Sequence, residues 1–248
     1  VRRGEVVGIA GLMGAGRTEL AMSIFGRSYG TFLSGTLVKD GQEIELPDVA
    51  AAIKHGLAYV SEDRKVLGLN LLDTIKRSIV AAKLSKIAHN GVVDSREEFS
   101  VAERYRKTLR IKTPSVEEGV GKLSGGNQQK VVLAKWMFTD PDLLILDEPT
   151  AGLDPETRPV VHDVVREQTD RGAAVLLTTH LLDDAERLAD DVAILRAGRV
   201  VRSGSLAELT RVAEGDVVDV DFGDASPDAV RAWADTLPAP LRAAGLDE

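Results

Sequence analysis

An α/β fold with a mostly parallel sheet covered on both faces is predicted by three features of this 248-residue sequence. Short, almost wholly apolar runs ("GEVVGIAG", "LLILDE", "GAAVLLTTH") alternate with stretches of helical spacing. That is the pattern of strands buried on both faces and joined by helices. A glycine-rich turn joins the first run directly to a helix. Two carboxylates end the second run, at the sheet edge where open α/β folds bind their ligands.

The elements follow in order. "GEVVGIAG" reads as a buried strand at about 5–10, being short, β-branched and closed by glycine. Arg17 to Phe25 has helical spacing through Leu20, Ala21, Ile24 and Phe25. "SGTLVKDGQEI" has the look of a hairpin, with Asp40-Gly41 at its turn. "GLAYVSEDR" is a further strand that ends at Ser61 or Glu62. From Leu72 to about Ile111 the pattern is helical. There Ser95 and Glu98 have the spacing of a capping box, and Phe99, Ala102, Tyr105 and Leu109 share one face. "KTPS" closes this region, which reads as a helical subdomain. "DLLILDEP", "GAAVLLTTH" and "DDVAILRAGRVV" are then buried strands, with helices at about 156–170 and 182–189 between them. In the tail, "DVVDVDF" reads as a strand and "SPDAVRAWADTL" as a helix.

Composition narrows the function. Hydrophobic residues make up 44% and charged residues 28%, as in soluble globular chains. No run approaches the roughly 18 apolar residues that span a bilayer, so membrane contact is expected to be peripheral. The start reads directly as a strand, with no signal peptide. Cysteine is absent, which excludes disulfide and thiolate chemistry. The net charge of −8 is concentrated in the tail: residues 205–248 carry ten acidic and three basic side chains, a net of −7 that leaves −1 for the rest. No basic stripe points to nucleic acid.

The chemistry sits in three places. "GLMGAGRT" (Gly11, Leu12, Met13, Gly14, Ala15, Gly16, Arg17, Thr18) follows a buried strand and opens a helix, so its backbone N–H groups and the helix dipole converge on an anion. Gly14 and Gly16 allow the backbone to wrap phosphate oxygens, and the Thr18 hydroxyl can ligate magnesium. Arg17 stands where such a loop carries lysine. Asp147 and Glu148 end the acidic strand, Asp147 suited to hold magnesium through water and Glu148 to orient or deprotonate an attacking water. "LSGGNQQK", with Leu123, Ser124, Gly125 and Gly126, opens another helix and makes a second anion-binding terminus.

Together with "GLD" at 152–154 and His180 after "VLLTT", these segments resemble the ATP-binding cassette (ABC) proteins in order and spacing over about residues 1–210. The resemblance implies a P-loop NTPase (RecA-like) sheet with a helical subdomain inserted at about 66–135, and an acidic C-terminal extension at 211–248. It implies ATP and Mg2+ as ligands, and head-to-tail pairing with a second ABC cassette, in the same polypeptide or a dimer mate. Leu123, Ser124, Gly125 and Gly126 would then face ATP held by the other cassette, with Asp154 at the interface. His180 would reach the γ-phosphate, beside Glu148 as catalytic residue. Glu62 stands where most of the family has the Q-loop glutamine. His55, His89 and His162 match no motif and are expected on the surface or in packing.

Up to residue 149, "GLMGAGRTEL", "YVSEDRK" and "KTPSVEEGVGKLSGGNQQKV" look like the second cassette of ribose-, galactose- and xylose-type monosaccharide importers. From 150 to 248, "PTAGLDPETR" and "LLTTHLLDDAERLADDVAILRAGRVVRSGSLAEL" look like daunorubicin-type drug exporters, so the chain reads as a mosaic with a seam near 149. By the same resemblance, the first strands of such a domain and the aromatic that stacks on adenine would be expected ahead of Val1. The implied role is ATP hydrolysis coupled to sugar import at the cytoplasmic face of the plasma membrane. Permease subunits and a periplasmic or extracellular sugar-binding protein would be the partners. Drug export and a weakly hydrolysing regulatory cassette are the alternatives. A soluble DNA-repair ATPase would need a far longer insertion than the 104 residues between Thr18 and Leu123.

Overall fold

A computed structural model describes residues 1–30 and 34–210, and its compact unit spans Val1–Leu209. The strand and helix expected in the tail lie outside the described residues. The central sheet has six strands: β1 (Val6–Gly11), β4 (Leu57–Val60), β7 (Leu143–Asp147), β8 (Ala174–Thr179), β9 (Asp191–Arg196) and β10 (Arg199–Gly204). Two small hairpins, β2–β3 (Leu37–Lys39, Gln42–Ile44) and β5–β6 (Ala88–His89, Val92–Val93), stand apart from it. The central order is β10-β9-β1-β8-β7-β4, parallel throughout except for the antiparallel β10.

The apolar runs become the inner strands for the expected reason. All six residues of β8 and all four of β4 are buried, as strands covered on both faces must be. The helices are α1 (Arg17–Ile24), α2 (Val49–Lys54), α3 (Ile75–Val80), α4 (Ser95–Thr108), α5 (Gly125–Met137), α6 (Arg158–Asp170), α7 (Leu182–Leu188) and α8 (Leu206–Thr210). Among them α1 packs on β1, β7 and β8, α7 on β1 and β8, and α5 on β4. Fully buried Leu144, Ile145, Leu146 and Leu177 form the centre of the core.

Several expectations shift. The strand at "GLAYVSEDR" stops at Val60, and Ser61 begins the following loop. Helix α4 is capped by Asp94, which accepts hydrogen bonds from the Arg96 and Glu97 amides, so Ser95 is already helical and makes no capping box. Glu98 is instead buried, 3.4 Å from Lys76 on α3. On that helix Ala102, Tyr105 and Leu109 are buried as expected, whereas Phe99 is exposed and Val101 takes the inner position. The run "DDVAILRAGRVV" divides into two strands at Ala197-Gly198, both at positive φ, and β10 is an exposed edge rather than a buried strand. The Asp40-Gly41 turn, at φ 51° and 79°, has the backbone its sequence demands.

Candidate functional site

Sheet order decides what meets at the C-terminal edge. The junction from the end of β1 into the first turn of α1 carries Gly11–Thr18, the loop after β7 carries Glu148, that after β8 carries His180 and that after β4 carries Glu62. Because β1, β8, β7 and β4 are consecutive neighbours, these four loops converge. They enclose a cleft of about 170 Å³ lined by Met13, Gly14, Ala15, Gly16, Arg17, Thr18, Glu62, Glu148 and His180, among others.

Gly14 and Gly16 sit at φ 78° and 97°, where a side chain would be strained, and Gly16 is the N-cap of α1. The free amides of the first turn of α1 thus open onto the cleft. Gly11 is needed for packing: a Cβ there would lie 2.4 Å from the Leu195 carbonyl oxygen. Leu12 and Met13 at the tip are 83% and 87% exposed.

Asp147 is fully buried and has three hydroxyl partners. Thr18 Oγ1 donates to its Oδ1 at 3.1 Å, Thr178 Oγ1 donates to the same oxygen, and the Tyr59 hydroxyl donates to Oδ2 at 2.9 Å. Burial, and then the Asp147 charge beside it, push the Tyr59 hydroxyl pKa far up, so it stays a donor. A hydroxyl and a carboxylate side by side at a phosphate loop suit Mg2+, which takes one or two protein ligands and keeps water and phosphate for the rest. Among the described residues no cluster of three or more carboxylate or imidazole ligands offers an alternative metal site.

Glu148 is buried with both oxygens engaged. Oε2 lies 2.8 Å from His180 Nδ1 and accepts the His180 amide at 3.3 Å, while Oε1 lies 2.8 Å from Arg17 Nη1. The Arg17 contact is one of charge without a directed hydrogen bond: Nη1 and Oε1 are both buried and neither makes one. The Glu148 backbone is at φ 45°, a left-handed conformation rare for a residue with a side chain.

Residues of the "LSGG" segment do not line the cleft. Ser124 is the N-cap of α5, and its hydroxyl accepts from Asn127 Nδ2 at 2.9 Å. A Cβ on Gly125 would lie 2.6 Å from Arg64 Nη2, and one on Gly126 2.7 Å from Thr157 Oγ1 and 2.8 Å from Asp154 Oδ2. Asp154 is exposed and accepts from the Thr157 hydroxyl and amide, and these bonds, with the hydroxyl the stronger influence, hold its pKa below the usual value. Of the unassigned histidines, His89 is exposed and paired with Glu97 at 3.4 Å, whereas His162 is buried. Tyr59, Thr178 and Arg64 were not singled out from the sequence, although a hydroxyl inside the apolar runs "LAYV" and "AVLLTT" is a signal that could have found the first two.

Residues 1–151 match the ABC transporter family. The chain belongs to that family. Curated relatives of this ABC chain include the L-arabinose transport ATP-binding protein AraG of Geobacillus stearothermophilus, 48% identical over 211 residues, 85% of this chain and 41% of that one. The xylose import ATP-binding protein XylG of Thermoanaerobacter pseudethanolicus is 42% identical over 199 residues, covering 80% and 39%. The ABC chain therefore spans about two fifths of the length of these relatives. Among solved structures, a dimeric ATP-binding cassette in a post-hydrolysis state bound to ADP and Pi superposes with a TM-score of 0.70 at 21% identity, over 83% of this chain and 87% of that one. An ATP-binding subunit of an ABC transporter superposes with a TM-score of 0.64 at 27% identity, over 85% and 82%. The fold is that of the P-loop NTPase cassettes. No helix among the described residues is long and apolar enough to cross a membrane.

Proposed function

We propose that this ABC chain binds and hydrolyses ATP to drive monosaccharide import through a membrane permease. The observation that carries the reading is the convergence of phosphate loop, Thr18, Glu148 and His180 on one cleft, with Asp147 buried behind it and hydrogen-bonded to Thr18. The amides at the start of α1 hold the phosphates, and Arg17 is the one lysine or arginine among the described residues that lines the cleft. Nucleotide arrival transfers Arg17 from Glu148 to phosphate oxygens, exchanging one anionic partner for another and freeing Oε1. Glu148 then takes the proton of the attacking water, with His180 fixing the carboxylate through Oε2. Thr18 and Asp147 would hold Mg2+, which supplies neutralisation of the developing phosphate charge.

A cleft of about 170 Å³ is smaller than the ~300 Å³ at which ligand pockets usually begin. Its size suits phosphates, leaving the rest of the nucleotide and its cover to other surfaces. Leu123, Ser124, Gly125 and Gly126, with Asp154, are assigned to ATP held by a second cassette, and Glu62 to the sensing of bound nucleotide. Residues 1–210 form the nucleotide-binding domain, about 66–135 its helical subdomain and 211–248 an acidic extension. The domain sits peripherally at the cytoplasmic face of the membrane, with permease and sugar-binding protein as partners.

Import is favoured over drug export by the relatives' names, L-arabinose transport, xylose import and ribose import. The arabinose match, at 211 residues, is longer than the stretch ahead of residue 149, so it runs into the part that resembles exporters. Export remains the second reading because of "PTAGLDPETR" and the His180 segment. Glu148→Gln tests the hydrolytic assignment. In the assembled transporter, with the other cassette disabled, ATP binding should persist while turnover falls about 10²–10⁴-fold, the usual value of a general base. Undiminished turnover would refute it.

A further inference from the structure

We infer that Thr150, Asp184 and His162 form a buried clasp that positions the Glu148–His180 pair. The inference rests on the hydrolytic reading of that pair. Asp184, on the first turn of α7, is 3% exposed and its two carboxylate oxygens are divided between two partners. Oδ1 lies 2.9 Å from His162 Nε2 on α6, and Oδ2 accepts the Thr150 hydroxyl. His162 is 9% exposed and Thr150 1%, so all three polar groups are withdrawn from water. With Nε2 protonated, both of Asp184's neighbours donate to it, and the buried carboxylate is paired at each oxygen as burial requires.

The placement of this group matters more than its stability. Thr150 lies two residues beyond Glu148, and Asp184 four residues beyond His180. The loops that carry the two members of the pair are thus joined a second time, just downstream, through a side chain on each and anchored on α6. Glu148 needs such support. Its backbone, at φ 45°, is in a left-handed region that persists for a residue with a side chain only where the surroundings over-determine it. Upstream, the Glu148 amide is fixed by the Thr178 carbonyl at 3.0 Å. Downstream, the Thr150 hydroxyl ties the strained segment to Asp184, and Gln129 Nε2 adds a longer bond to the Pro149 carbonyl at 3.4 Å. None of the three touches the cleft, so they act as positioning residues.

The test uses the assembled transporter and measures kcat, KM for ATP, nucleotide affinity and thermal midpoint. Thr150→Val removes the hydroxyl at constant volume. It should lower kcat about 10–100-fold, the scale of a small misplacement of reacting groups, with KM and affinity unchanged. Thr150→Ser should restore kcat. His162→Gln, which keeps a donor, should lose less than His162→Phe, and serves if Thr150→Val does not fold. In a His180→Ala background Thr150→Val should lose most of its effect, because both act on the same pair. Hydrolysis that needs Glu148 but ignores Thr150→Val, or additive losses in the His180→Ala background, would overturn the clasp alone. Undiminished hydrolysis by Glu148→Gln would remove the reading of the site and the clasp with it.

Discussion

At position 17 the chain places a guanidinium where a phosphate loop ordinarily offers an ammonium, and the structure shows what that fork touches. Its Nη1 is 2.8 Å from the carboxylate proposed as the base. A planar fork holds oxygens well in one arrangement, whereas a lysine is a point charge that can follow charge as it moves during phosphoryl transfer. Arg17→Lys should therefore raise turnover in the complete transporter by more than it changes nucleotide affinity, as compared by steady-state kinetics and equilibrium titration. A variant that no longer binds, or turns over more slowly, would mean the site is built around the guanidinium. The sequence exposed Arg17, Thr18, Asp147 and Glu148 because each stands in a contiguous motif. It hid the Arg17–Glu148 contact, and the hydroxyls of Tyr59 and Thr178 on Asp147, because those depend on which strands are neighbours.

Among the elements, α5 carries the sharpest thermodynamic signature. Lys135, on its last turn, donates to the Gly68 carbonyl at 2.5 Å and lies 4.8 Å from the Trp136 ring. Burial pulls its ammonium down to about 8 from 10.5. Below pH 8 both folded and unfolded chains hold the proton, and the folded chain bears the whole cost of burying it. Between about 8 and 10.5 the folded amine releases its proton while the unfolded one keeps it, so this group adds stability as pH rises. Denaturant titrations of wild type and Lys135→Met across that window should show a difference growing in favour of wild type. Its size should be on the order of 1–3 kcal/mol. A pH-independent difference would contradict the burial of the charge. Element identity was legible for the core strands and for α4 to α7, whose periods are distinct, whereas the β5–β6 hairpin interrupts the stretch from Leu72 to about Ile111 that reads as helical, and the short α2 carries too few turns to show a period. The cap of α4 was misplaced by one residue because Asp94 and Ser95 are both good caps, and only the backbone decides between them.

For the whole molecule, the parallel sheet was legible in its apolar runs, while β10 was not. An exposed antiparallel edge strand and a buried one differ by neighbours that the pattern "RVVRSG" does not name. The same sheet edge that collects the phosphate loop, Glu148 and His180 leaves the "LSGG" residues outside the cleft. Hydrolysis by the isolated 248-residue chain should accordingly be weak and should rise more than linearly with protein concentration, as a site completed by a second copy requires. Robust activity that is strictly linear in concentration would show the chain to be sufficient alone.

The exposed tip of the phosphate loop carries a chemical liability. Cysteine is absent, and of the three methionines Met137 is buried and Met22 partly so, which leaves Met13 as the thioether an oxidant meets first. Its sulfoxide would set a polar, chiral group at the mouth of the nucleotide cleft. Mild peroxide should therefore modify Met13 ahead of Met137 in peptide mass spectra and weaken nucleotide binding in step. Methionine sulfoxide reductases should reverse the loss, and Met13→Leu should abolish it. If binding falls equally in Met13→Leu, the oxidised group lies elsewhere.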